Sequence, residues 1–114
     1  MSRLIHRVTM FKLPGAENQA KLIAAYDQLA KDQKKDGKPY IAYMCAGIAQ
    51  DDARAKGYTI VAQSKFHSLE DMKFYEDSCP AHEQLKVTAK GLGPLEPPLT
   101  VYFDGAPAID LTKA

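Results

Sequence analysis

The chain has 114 residues, 46% of them hydrophobic and 25% charged, which fits one globular domain of ordinary composition. A net charge of +1 argues against nucleic acid or an anionic membrane as the main partner, and no apolar run approaches the length of a membrane span. Cys45 and Cys79 have no metal-ligand spacing, and residues 1–7 lack the apolar stretch of a secretory leader. Two free thiols in a reducing, cytoplasmic setting are the default expectation.

Residues 4–13 read as a strand with apolar side chains on both faces, ended by Pro14-Gly15. From Ala16 the period changes. Leu22, Ile23, Tyr26, Leu29 and Ala30 make one apolar helical stripe. Gly37 is its expected stop, and the charged run 31–36 its solvated end. Pro39 to Ala49 predicts a second strand, with Cys45 packed inside it. A polar loop over 50–57 follows, then a third strand over 58–66 rich in β-branched and aromatic residues. Ser68 and Asp71 have capping-box spacing and start a short helix that ends near Glu76. Pro80 suits the first turn of another helix, running to Lys90 and stopping at Gly91. Cys79 sits just before that start, where a thiol pKa falls, which makes it the more reactive cysteine. Gly93, Pro94, Pro97 and Pro98 form a rigid link to a fourth strand over 99–103. The expected domain is 1–104, with a tail over 105–114 that crosses to a partner.

The order is β-α-β-β-α-β with a broken second helix. It predicts an α+β, ferredoxin-like fold with a four-stranded antiparallel sheet and helices on one face. The bare sheet face needs a cover, and a second copy of the chain is the simplest one.

Several segments, taken in order, resemble a known family. Val8-Thr9-Met10-Phe11-Lys12 is similar to the opening strand of the stress-responsive A/B-barrel proteins. Gly57-Tyr58-Thr59 opens the third strand as in that family. Phe66, Ser68-Leu69-Glu70-Asp71, Tyr75 and Pro80-Ala81-His82 resemble its segment F-x-S-x-E-D…Y…P-x-H. The likeness spans about His6 to Phe103. It implies a homodimer whose two sheets close a dimeric α/β barrel. Activity is less uniform across the family. Olivetolic acid cyclase, a plant relative, closes a polyketide by aldol chemistry without metal or organic cofactor, and a fern hydroxynitrile lyase shares the architecture. The fold alone does not carry such an activity over.

His82 is the strongest candidate for chemistry. With Leu85 and Ala89 it falls at i, i+3 and i+7, on the inward stripe of its helix. An imidazole there exchanges protons near neutral pH, or it is a half-buried ring bonded to a backbone carbonyl. The resemblance makes it the cyclase's base. Tyr26 and Tyr75 match cyclase tyrosines, as hydrogen-bond donors beside that base. Tyr26 also reads as an aromatic core residue. Tyr75 lies seven residues before His82, one more than in the cyclase. On the first strand the resemblance implies Thr9 and Phe11 at the substrate, joined by His6 or Arg7 according to the alignment. A slip of one residue sends a side chain to the opposite face. His67 reads as a solvated strand end, and Asp51, Asp52 and Asp104 make no metal-ligand set.

These readings lead to a cofactor-free enzyme or binder of small molecules, of cyclase or lyase type. It would act on an enolisable, polyketide-like carbonyl compound. The alternative is a non-enzymatic, stress-associated dimer in which His82 and the tyrosines are core. A cofactor-free monooxygenase has no distinctive residue in its favour.

Overall fold

The computed structural model describes residues 4–105. The tail expected over 105–114 lies, beyond Gly105, outside the described residues. The elements are β1 (Ile5–Phe11), α1 (Ala16–Asp32), β2 (Ile41–Ile48), β3 (Ile60–Phe66), α2 (Leu69–Asp77), α3 (Pro80–Gly91) and β4 (Leu99–Asp104), with one 3-10 turn (Ala53–Ala55) between β2 and β3. All strand pairs are antiparallel, in the order β2-β3-β1-β4. This is the ferredoxin-like βαββαβ arrangement that the order of periodicities predicts.

Strand alternation divides the sheet. Thr9 and Phe11 of β1 are buried against the helices, as are Ile60, Ala62, Ser64 and Phe66 of β3. The core forms between that face and Leu22, Tyr26 and Leu29 of α1, Met72 and Tyr75 of α2, and Leu85 and Ala89 of α3. On the other face His6, Val8 and Met10 pair with Phe103, Val101 and Leu99 of β4. No described helix covers these residues, and Val101 and Phe103 stay about half exposed, at 50% and 49%.

Several expectations are corrected by local chemistry. α1 ends at Asp32, five residues before Gly37. The Gln33 side-chain oxygen accepts from the backbone N–H groups of Tyr40 and Ile41 at 2.9 and 3.1 Å, which draws the chain out of the helix. Asp36 and Gly37 both have positive φ, 53° and 77°, and sit at the tip of a bridge between Lys35 and Lys38. Asp-Gly is the pair such a tight turn favours, so Gly37 serves a turn. Ala30 of the α1 stripe is exposed. β3 begins at Ile60, and Thr59 just before it ties the strand to the end of β1: its N–H donates to the Phe11 carbonyl at 2.8 Å, and its hydroxyl donates to the Leu13 carbonyl at 2.7 Å and accepts from the Leu13 N–H at 3.0 Å.

The broken helix forms as its capping residues direct. The Ser68 hydroxyl accepts from the Asp71 N–H at 3.1 Å, while the Asp71 carboxylate binds Lys35 at 2.7 Å. Pro80 opens α3 after Cys79. The cysteines exchange their expected settings. Cys45 is exposed because its place in the alternation turns it to the uncovered face, and Cys79 is free but sealed in the core at 1% exposure. A thiol so enclosed meets no reagent, which removes the reactivity expected of it. No described helix is long and apolar enough to cross a membrane.

Candidate functional site

A cavity of about 530 Å³ opens between the sheet and α3. Arg7, Thr9 and Phe11 line it from β1 and Thr100 from β4, because those positions share the helix-facing side of neighbouring strands. Tyr26 lines it from α1. His82, Leu85, Lys86, Ala89 and Lys90 line it from α3, at i, i+3, i+4, i+7 and i+8 of one helical stripe. Residues 93–98 form the rim. That loop is held down: the Leu95 N–H donates to the Lys12 carbonyl at 2.9 Å, and Lys12 pairs with Glu96.

His82 is 5% exposed. Its Nδ1 lies 2.7 Å from the Tyr75 carbonyl oxygen. A carbonyl oxygen only accepts, so Nδ1 carries the proton and Nε2 keeps a lone pair. No described protein group bonds Nε2. It is not a sealed atom either, since the only such unpartnered buried side-chain atom among the described residues is the Tyr40 hydroxyl. Nε2 therefore keeps some accessible surface, and His82 is one of the residues that line the cavity. The Tyr75 ring stacks on the imidazole with centroids 3.8 Å apart and planes 14° from parallel. Burial lowers the His82 pKa from 6.5 to about 4, the Tyr75 carbonyl opposes that, and the Arg7 charge adds to it. The ring is neutral at pH 7. The two readings of His82 from sequence do not exclude each other: one nitrogen is bonded to the backbone and the other is free.

Arg7 completes the polar end. Its Nε donates to Glu76 at 3.3 Å and its terminal nitrogen to the Thr9 hydroxyl at 3.0 Å. The Thr9 and Thr100 hydroxyls are 3.1 Å apart. The guanidinium carbon lies 5.0 Å from the centre of the Tyr75 ring, so Arg7 and His82 both pack on Tyr75. Burial raises the Tyr26 pKa, and the nearby Arg7 charge opposes the rise. Tyr26 is thus a neutral phenol, able to donate.

The expected site residues separate into two groups. His82, Tyr26, Arg7, Thr9 and Phe11 meet at the cavity. Tyr75 is not among the lining residues and supports His82 through its ring and carbonyl. His6 is on the uncovered face, its ring stacked on Phe103 at 4.9 Å, so the register places Arg7 in the cavity. Sequence marked the rim only as a rigid link and Thr100 only as a strand residue, because their place at the cavity depends on long-range contacts: the Leu95 bond to Lys12 and the pairing of β4 with β1. Lys86 and Lys90 had a sequence signal: they continue the stripe of His82.

Residues 5–94 match the stress responsive A/B barrel domain family. The chain belongs to this family. A protein of Gibberella zeae described as a fusaristatin A biosynthesis cluster protein is 46% identical over 104 residues, covering 87% of this chain and 71% of that one. Among solved structures, a hydroxynitrile lyase from Passiflora edulis superposes with a TM-score of 0.74 at 16% identity, covering 96% of this chain and 100% of that one. A dimeric ferredoxin-like protein of unknown function from a Jannaschia species gives 0.66 at 15% identity, covering 88% and 97%. At such identities the solved structures confirm the ferredoxin-like fold and leave the chemistry to the residues of each cavity.

Proposed function

We propose that this A/B-barrel protein is a cofactor-free enzyme of cyclase or lyase type that moves a proton at a carbon beside a carbonyl group. One observation carries the reading: the bond from His82 Nδ1 to the Tyr75 carbonyl, which leaves Nε2 as a base open to a cavity of ligand size. Nε2 takes the proton from the carbon. The Tyr26 hydroxyl is the neutral donor for the oxygen that gains charge as the enolate forms. The nitrogen with a conjugate acid near 4 is always free to accept but holds a proton weakly. It suits carbon acids already activated by a second carbonyl, as in poly-β-keto chains, and it returns the proton readily to a product. The biosynthetic setting named for the Gibberella relative agrees with this class of chemistry.

The functional unit in this reading is a homodimer joined through the uncovered sheet face, where Tyr43, Leu99, Val101 and Phe103 are 42–50% exposed. The dimeric Jannaschia neighbour supports it. One observation favours a second reading, a ligand-binding protein without turnover: the low basicity of His82, which then acts only as a hydrogen-bond acceptor.

Solvent-deuterium exchange at C2 of a 3-oxooctanoyl ester, followed by proton NMR, separates the two. The enzyme reading expects acceleration that falls by about 10²–10⁴-fold in His82→Gln, with the melting temperature little changed. Binding of the ester with no acceleration of exchange leaves the binder.

A further inference from the structure

The polar end of the cavity holds more cationic donors than the protein itself uses. We propose that its ligand is an organic monocarboxylate, with the carboxylate on the Arg7 guanidinium and an apolar body along Phe11, Leu85 and Leu95. This rests on the reading of the cavity as a small-molecule site beside His82 and names the substrate class for it.

A guanidinium has five N–H donors in a planar fork. Arg7 spends one on Glu76 and one on Thr9. The other three have no partner among the described residues, although the side chain is only 11% exposed. The terminal nitrogen that makes no hydrogen bond is not sealed, so its donors face the cavity, where a bound anion can meet them in place of water. Glu76 balances the charge only in part, through a single contact at 3.3 Å from a side chain that is itself 31% exposed. Elsewhere the cavity lining includes Lys86 and Lys90 and a single carboxylate, Glu96, which Lys12 holds. Lys86 pairs with Glu83, outside the cavity. Lys90 has no carboxylate partner among the described residues. The wall is therefore net positive.

Shape and chemistry narrow the anion. A single fork with neighbouring N–H groups free matches the two oxygens of a carboxylate. The remaining wall, with Phe11, Leu85, Ala89, Pro94 and Leu95, is apolar and asks for a hydrocarbon or aromatic body. Arg7 and His82 line the same cavity and both pack on Tyr75, so one ligand can carry its carboxylate to Arg7 and an adjoining part to His82. A β-keto acid is the simplest compound that satisfies both groups.

Calorimetric titration of the whole chain at pH 7 with octanoate, octanamide and octyl phosphate tests this. Octanoate and octanamide share size and shape and differ in charge. Octanoate is expected to bind at least about tenfold more tightly. Arg7→Gln should cost octanoate about ten- to a hundredfold and leave octanamide within about threefold. Arg7→Lys, a point charge without the fork, should recover part of the loss. Equal binding of octanoate and octanamide to the unmodified protein overturns the proposal, and so does binding of neither up to about 10 mM. Octyl phosphate bound more than about tenfold tighter than octanoate overturns it in favour of a phosphoryl ligand. If Arg7→Gln does not fold, the unmodified protein decides alone. The exchange experiment reads proton transfer and the titration reads binding, both on the unmodified protein, so a failed exchange and a failed carboxylate preference are separate results.

Discussion

Burial sets the charge state of His82 and through it a pH dependence of the fold. The folded pKa, about 4, lies below the 6.5 of an exposed ring. Between those values the unfolded chain binds the proton and the folded chain does not, so stability rises with pH there. The contribution is whole above pH 6.5 and is lost as the pH falls towards 4. From pH 7.5 to pH 5 the loss from this one residue is about 2 kcal/mol. Urea unfolding of the native chain and of His82→Gln at both pH values should show it as a larger fall in unfolding free energy from pH 7.5 to pH 5 for the native chain than for the variant. Equal falls would mean the ring is not buried in its neutral form. That His82 points inward was legible from its helical spacing with Leu85 and Ala89. Its tautomer was not, because the Tyr75 carbonyl that fixes it is free to bond only where α2 breaks before α3. The choice between His6 and Arg7 was hidden for another reason: two adjacent strand residues face opposite ways, and only pairing with β3 and β4 decides which face the helices cover.

At the scale of elements, Gln33 shows how a side chain overrides a pattern. The apolar period of α1 gave its start and its buried stripe. The end was misplaced because Gly37 is a sound stop signal, while the real terminator is a glutamine that caps the following strand. Asp36-Gly37 had its own signature as a tight turn, masked by the charged residues around it. Gln33→Ala removes the acceptor for two backbone N–H groups at the start of β2. It should destabilise the fold by about 1–2 kcal/mol. Gln33→Glu keeps an acceptor oxygen and should cost clearly less. Denaturant melts of the two variants check this, and equal losses would put the stability of the corner elsewhere. The capping residue Ser68 and the helix opener Pro80 were readable because both act within one turn. The cavity rim was not, since it depends on Leu95 reaching back to Lys12 across 83 residues of chain.

For the whole molecule, the uncovered sheet face is the feature that most needs a partner. β1 offers Val8 and Met10 to it, and β4 offers Leu99, Val101 and Phe103, so cross-strand pairs build one continuous apolar stripe. A contiguous apolar surface of this kind marks an interface. The apolar residues on both sides of the first strand announced it from sequence, whereas a strand facing water on one side would alternate more cleanly. The proposed homodimer places Val101, paired with Val8, inside the contact. Val101→Glu puts a carboxylate there without touching the helix-facing core and should weaken association by about a hundredfold or more. Sedimentation at micromolar concentration should show a dimer for the native chain and a monomer for the variant. Cys45 gives a second readout, because it lies on the same face and is exposed in the single chain. Its thiol should react slowly with an aromatic disulfide reagent in the dimer and quickly in Val101→Glu. Cys79, sealed in the core, should react in neither until urea is added, when both thiols titrate as free. A native chain that sediments as a folded monomer, with Cys45 reacting at once, would leave the stripe without its second copy.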